Sequence, residues 1–461
     1  MNPSPKNIYR LIEKYDKSVP RYTSYPTVPF WQTTQWNPQD WQKQLSNQFK
    51  QAPNQAISLY IHLPYCENLC TYCGCNKRIT KNHAVEMPYI EAVLEEWKYY
   101  VRLLGKKPIV SELHLGGGTP TFFSAESLRK LIEGIFKEAT PAPTPAFSVE
   151  IHPTVTNTEH LTTLYELGFR RLSVGIQDFD QRVQAIINRH QTFEETQYIF
   201  QQARNIGYEA INADIVYGLP LQTTESICLT MKHIQTLKPE RIAFYSYAHV
   251  PWKSKGQRRY TEADLPNSKE KIELYLLGKE ILRQAGYKEI GFDHFALPKD
   301  ALYKAAEKGQ LHRNFMGYTT QNTQLLIGLG ASSISDTGTM FAQNEKTIEA
   351  YLENIQQKGY ATHQGHTLNE EDQLLRKHIL ELMCQLNTDL SELPHYLKND
   401  ILPRLGTFID DDLITLEGYK IQVTTLGRTF LRNICLCLDS YYWSSLQKNK
   451  EKETPLFSKA I

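Results

Sequence analysis

The sequence predicts an α/β protein: a partial (β/α)6 barrel with an N-terminal arm and a mainly helical C-terminal domain. Three observations carry this. Short apolar runs recur from residue 57 to 246, and each precedes a longer segment of helical periodicity. There are six such runs, fewer than the eight that close a barrel. Strand–helix repetition implies right-handed crossovers and a parallel sheet.

In order along the chain, residues 1–50 read as an extended arm or lid. PRYTSYPTVPFW (20–31) is rich in Pro, Tyr and Thr and poor in helical periodicity. The strands are ISLYIH (57–62), IVSELHL (109–115), FSVEI (147–151), RRLSVGI (170–176), INADIVY (211–217) and RIAFYSY (241–247). MPYIEAVLEEWKYYVRLL, AESLRKLIEGIFKEA, FEETQYIFQQARNIG and TESICLTMKHIQTL supply helices between them. PAPTP (141–145) reads as a proline-rich loop ahead of the third strand. These units form a barrel domain over 51–290. Beyond about residue 290 the pattern turns to irregular loops, then to helices near 345–358 and 369–385, giving a C-terminal domain over 291–461. DDLITLEGYKIQVTTLGRTFLRNIC reads as strand, turn at Glu417–Gly418, strand and helix, a small winged-helix-like element without the basic cluster that DNA binding needs.

Composition narrows the classes. With 51 basic and 50 acidic side chains the net charge is +1, so no global field attracts nucleic acid or anionic lipid. MNPSPKNIYRLIEKYDKS has no apolar signal core and no stretch is apolar enough to span a bilayer, so a cytoplasmic location is expected. Of eight cysteines, four crowd into Cys66 to Cys75, which points to metal or redox chemistry. Cys228 and Cys384 are expected to be buried small hydrophobes, and Cys435 and Cys437 to serve core packing.

Sites of parallel α/β folds lie at the C-terminal ends of the strands. Cys66 follows the first strand, the Gly116–Gly118 run the second, and Glu150 ends the third. Gln177 follows the fourth and Asp214 lies within the fifth. In HLPYCENLCTYCGCNK the spacing Cys66-x3-Cys70-x2-Cys73 suits three irons of a [4Fe–4S] cubane. The alternative, a zinc knob that adds Cys75, crowds a tetrahedral shell into ten residues. A glycine run after a strand is a tight turn or lets backbone approach a ligand closely, and by residue type alone Arg189 reads as a helix-surface cation and Asp214 as an exposed strand end.

The sequence resembles, over nearly its whole length, the radical-SAM enzymes of the oxygen-independent coproporphyrinogen III oxidase (coproporphyrinogen dehydrogenase) family. The likeness runs from PRYTSYPT through YIHLPYCENLCTYCGCNK, LHLGGGTPTFF, SVGIQDFD, INADIVYGLP, SYAHVP, LHRNFMGYTT and GLGASSIS to RNICLCLD. It implies a radical-SAM barrel in which Cys66, Cys70 and Cys73 bind a [4Fe–4S] cluster. The open iron chelates S-adenosylmethionine (SAM), which is cleaved to methionine and a 5′-deoxyadenosyl radical. It also implies two SAM molecules. Tyr60, Gly117, Glu150 and Ile334 match positions around the first; Tyr72, Gly118, Thr119, Gln177, Arg189, Asp214 and Ala248 match those around the second.

The implied reaction converts coproporphyrinogen III to protoporphyrinogen IX by oxidative decarboxylation of two propionates, which requires an electron donor and a final acceptor. Arg21, His312 and Arg313 are candidates for holding carboxylates. Cys75 is a hydrogen donor, a cluster neighbour or a packed thiol. A monomer is expected. Two departures stand out: EIHPTV places His152, Pro153, Thr154 and Val155 where the family has an acid and then Pro-Arg, and HFALP has Leu297 where a basic residue is common. Other readings are a cluster-containing haem chaperone and a degenerate relative without turnover.

Overall fold

The structure, a computed structural model, describes residues 5–448 and 457–458. Six strands form its centre: β1 (Ile57–Leu63), β2 (Ile109–Gly117), β3 (Thr140–Ile151), β4 (Phe169–Gln177), β5 (Ala210–Tyr217) and β6 (Arg241–Ser246). They lie side by side in chain order and every neighbouring pair is parallel. Two helices precede them, α1 (Pro5–Tyr15) and α2 (Pro38–Gln51). The crossovers contain α3 (Glu86–Leu104), α4 (Ala125–Lys137), α5 (Thr158–Glu166), α6 (Gln181–Ile186), α7 (Phe193–Ile206) and α8 (Thr224–Leu237).

Alternation explains the layering. On β4, Leu172, Val174 and Ile176 are buried beneath the helices, while Arg171, Ser173 and Gly175 line the inner face. A closed barrel of this kind fills its lumen with aliphatic side chains. Here the inner face is polar, so the lumen is a site rather than a packed core. The helices begin where sequence chemistry sets them: Thr192 and Glu195 form a reciprocal capping box on α7, and Ser124 caps α4.

The sheet continues beyond the barrel, contrary to the irregular loops expected after residue 290. Six further strands, β7 (Lys288–Ile290), β8 (His294–Ala296), β9 (Leu326–Leu329), β10 (Ile334–Asp336), β11 (Met340–Asn344) and β12 (Thr362–Thr367), join it. The order is β12-β11-β10-β9-β1-β2-β3-β4-β5-β6-β8-β7, with β9 parallel to β1 and the rest of the additions antiparallel. Five of these strands have only three to five residues, too few for alternation to register.

Three other expectations are corrected. The arm is not extended throughout: Asn37 caps α2 by accepting from Asp40 N–H, and Trp41, Leu45 and Phe49 bury one face of it. α1 likewise buries Ile8, Leu11, Ile12 and Tyr15. PAPTP belongs to β3. Its prolines are tolerated because β3 meets β4 only from Phe147 onward, so this stretch pairs on one side alone. Cys228 is exposed, because α8 turns Ile227, Met231 and Ile234 inward and leaves Cys228 off that face. Cys384, Cys435 and Cys437 are buried as expected.

The strand–turn–strand at Ile414–Glu417 and Lys420–Val423 forms as read, with Asn387–Asp389 pairing as a third strand. α1 docks on this C-terminal region: the Tyr15 and Phe408 rings stack at 4.7 Å, and Asp411 takes Lys14 Nζ at 2.5 Å and Tyr15 OH at 2.8 Å. Among the described residues, no helix is long and apolar enough to cross a membrane.

Candidate active site

The lumen opens into a cavity of about 650 Å³, within the ~300–1,000 Å³ of small-molecule sites. Its upper lip is the loop that leaves β1, and Cys66, Cys70 and Cys73 all line it, each half-buried. This loop has little regular structure of its own, so neighbours fix it. Asn188 Nδ2 donates to Leu69 O at 2.8 Å and Thr71 N to Ile187 O at 2.9 Å. Gln257 Nε2 donates to Tyr72 O at 2.9 Å and to Ala248 O at 3.2 Å, and Lys77 Nζ to Cys73 O at 2.9 Å.

Each of the three sulfurs has a donor. Thr119 Oγ1 lies 3.3 Å from Cys66 Sγ, and Arg189 Nη1 lies 3.7 Å from Cys70 Sγ. The exposed Cys75 thiol donates to Cys73 and, with Lys77, draws that thiol down to about 6 against the pull of burial. Burial pushes Cys66 up to about 11. Donors of this kind stabilise thiolates, the form that binds iron, so the residues fit a [4Fe–4S] cluster. No three His, Cys, Asp or Glu side chains among the described residues stand at single-ion spacing. That spacing is zinc's requirement, whereas in a cubane each thiolate binds a different iron.

The glycine run packs flush against the chain entering this loop. Gly118 N donates to Leu63 O at 2.8 Å, and a Cβ on Gly118 would stand 2.7 Å from the Pro64 carbonyl. Gly117 has φ +115° and faces the His62 ring. Glu150 accepts from Gly117 N–H at 3.2 Å and pairs with His114 Nε2 at 3.2 Å. Burial raises its pKa, but these contacts outweigh it and hold the carboxyl below its ordinary value.

Asp214 accepts from Ser173 Oγ and Asn212 Nδ2, both at 2.8 Å, and burial pushes it up to about 6. Arg189 is fixed by Gly175 O and by Gln191 Oε1. Gln177 sits at φ +69°, a left-handed conformation that non-glycine residues adopt mainly at strained functional positions. His152 accepts from Thr154 N–H through Nδ1 at 3.3 Å; burial and Arg189 push it down to about 2, so it stays neutral.

The cavity brings together Cys66, Cys70, Cys73, Cys75, Gly117, Glu150, Tyr72, Gly118, Thr119, Gln177, Arg189, Asp214, Ala248 and Arg21. Four sequence candidates stand outside its lining. Tyr60 lies beneath it, bonded through OH to His62 Nδ1 at 3.0 Å, and Ile334 lies on β10 against Gly328. His312 is half-buried on a short ribbon. Arg313 sits 5.2 Å from the Phe292 ring and 4.5 Å from that of Tyr318. Leu297 packs against the core.

Sequence reading missed the cations at the closed end of the lumen. Arg171 donates to Ala146 O at 3.1 Å and has no carboxylate at ion-pair distance among the described residues. Arg241 holds Asp300 through Nε at 2.8 and 2.9 Å. Both were legible as polar members of alternating strands, beside Ser173 and Tyr245.

Comparison with known proteins gives the arrangement its family. The Radical SAM superfamily model matches residues 60–234. The oxygen-independent coproporphyrinogen III oxidase of Pseudomonas aeruginosa is 39% identical over 441 residues, 94% of this chain and 95% of that relative. The chain belongs to the oxygen-independent coproporphyrinogen III oxidase family. The Escherichia coli K12 member is 36% identical over 94% of each chain. A solved structure of the Escherichia coli coproporphyrinogen III oxidase, described as a radical SAM enzyme, superposes with a TM-score of 0.87 at 35% identity, covering 94% of this chain and 98% of that one. Membership brings a [4Fe–4S] cluster and SAM, which the cysteine loop fits.

Proposed function

We propose that this chain oxidises coproporphyrinogen III to protoporphyrinogen IX without oxygen, in porphyrin biosynthesis. One observation carries the reading beyond family membership: a single cavity has a three-cysteine lip at one end and Arg171 and Arg241 at the other. A radical generator and a carboxylate holder thus face the same space.

Cys66, Cys70 and Cys73 hold the cluster. The first SAM is held by Gly117 and Glu150, with Tyr60 beneath them, and by Ile334 on the strength of the family resemblance; Glu150, kept ionised by His114 and Gly117, suits its ammonium or ribose hydroxyls. A second SAM lies among Tyr72, Gly118, Thr119, Gln177, Arg189, Asp214 and Ala248, a proposal supported by all seven lining the cavity. When bound, cluster and SAM supply the radical that removes a hydrogen β to the carboxylate, after which loss of CO2 and one electron leaves a vinyl group. The chain binds and orients. Arg21, Arg171 and Arg241 hold propionates inside the lumen. All eight cysteines are unpaired, which fits a reducing cytoplasm.

The test is anaerobic incubation of the reconstituted, reduced protein with coproporphyrinogen III and SAM. Protoporphyrinogen IX is expected, and Cys70→Ala should abolish it. No decarboxylation, together with tight haem binding, would overturn the reading in favour of a haem chaperone.

A further inference from the structure

The segment Trp252–Arg259 does two things at once. Its inner side clamps the cysteine loop: Ser254 Oγ donates to Cys73 O at 3.3 Å, Gln257 holds Tyr72 O, and Gly256 packs against Thr71 and Leu69. Its outer side is exposed and basic. Lys253, Lys255, Arg258 and Arg259 all face solvent, and the stretch from Ala248 to Thr261 contains no acidic residue. In a chain of net charge +1 this is a local concentration, since the remaining charges nearly cancel. Two large apolar side chains stand with it: Trp252 is 40% exposed, and Leu69, between two of the cluster cysteines, is 37% exposed. Its Cδ2 lies 3.7 Å from the Cβ position of Gly256, so the basic segment and the cysteine loop form one surface.

A rim of cations around exposed apolar anchors matches the anatomy of a transient, electrostatically steered interface. Its position decides the partner. The proposed reaction needs electrons delivered one at a time to the site behind Cys66, Cys70 and Cys73, and this surface is the outer wall of that site.

We propose that Trp252–Arg259 and Leu69 form the docking surface for a small acidic one-electron carrier protein. In the docked complex the reduced carrier loses one electron and the cysteine-held site gains it; no atoms are exchanged. The inference rests on the proposed radical chemistry, and its test separates the two.

The holoenzyme is compared with a K253E/K255E/R258E/R259E variant and with Trp252→Ala, using a reduced flavodoxin and a plant-type ferredoxin as probes. Carrier binding is read by calorimetry, and reduction of the site by spectroscopy, with either carrier or dithionite as reductant. The charge reversal is expected to weaken carrier binding at least about tenfold at low salt and to slow carrier-driven reduction to match, while dithionite-driven reduction and SAM cleavage persist. Raising ionic strength from about 0.01 M to about 0.15 M should erase most of the difference, because the Debye length falls from about 30 Å to about 8 Å. Trp252→Ala should weaken binding at both salt levels. Unchanged carrier-driven reduction in the charge reversal overturns the proposal. So does preferential binding of wild type to duplex DNA or phosphatidylglycerol vesicles that the variant loses. Failure of dithionite-driven SAM cleavage in wild type instead overturns the radical reading.

Discussion

At the scale of single residues, backbone proximity and burial set the sharpest constraints. Gly118 meets the Pro64 carbonyl carbon and oxygen at 2.7 Å from its Cβ position, and backbone cannot swing aside as a side chain can. Gly118→Ala should therefore displace the chain leading to Cys66, with a cost of about 1–3 kcal/mol in urea unfolding and a loss of bound iron by colorimetric assay. Asp214 tests the electrostatics. Burial raises its pKa from 3.8 to about 6, so the folded chain favours the protonated form. Its favourable contribution is complete below pH 3.8 and is lost as pH rises through about 6. Asp214→Asn removes that loss and should make the cofactor-free protein more stable than wild type at about pH 8, by about 1–3 kcal/mol, with the gap closing toward about pH 4. Much of the candidate site was legible at the residue level, because Cys66 follows β1, Glu150 and Gln177 lie at the ends of β3 and β4, and Asp214 lies within β5 on the face that lines the cavity. Arg313 stands outside the cavity lining, against the rings of Phe292 and Tyr318, and a three-residue strand does not reveal which of its faces turns inward.

At the scale of elements, the cysteine loop depends on a side chain far away in sequence. Gln257 is buried and bridges Tyr72 O and Ala248 O. Gln257→Ala leaves two carbonyls without their donor, so a cost of about 1–3 kcal/mol is expected. The functional readout is faster loss of iron to a chelator at unchanged secondary structure by circular dichroism; iron retention equal to wild type would show that the other holds suffice. Sequence could not supply this contact, since no periodicity links residue 257 to residue 72. The six barrel strands were legible for the opposite reason: each carries an apolar run of its own, and several of the helices between them open on a sequence signal, such as the caps at Asn157, Thr192 and Thr223. β3 was legible only in its second half, because proline in a singly paired extension resembles proline in a loop. α2 was hidden by the Pro- and Tyr-rich segment before it, although Trp41, Leu45 and Phe49 recur at helical spacing.

At the scale of the whole molecule, the first residues and the C-terminal region form one packed unit. Tyr15 stacks on Phe408 and bonds Asp411, and Arg432 donates to Pro20 O at 3.0 Å. Tyr15→Ala should cost about 3–5 kcal/mol, measured as a lower urea midpoint, and should open the chain around residue 20 to limited proteolysis. The overall plan was legible as a partial barrel with additions at both ends. What sequence could not show is that the later addition enters the same sheet, because pairing between distant strands is invisible to local pattern.

That pairing governs how the chain is made. β1 emerges early from the ribosome, yet its outer partner β9 begins at Leu326. At about 5–20 residues per second, roughly 260 residues of delay leave one edge of a buried strand without its neighbour for about 13–50 s. During that interval the nascent protein presents an apolar ladder that any other extended chain can take up. Ribosome-stalled chains ending before residue 325 should therefore retain chaperones and aggregate on release, whereas those ending past residue 345 should not.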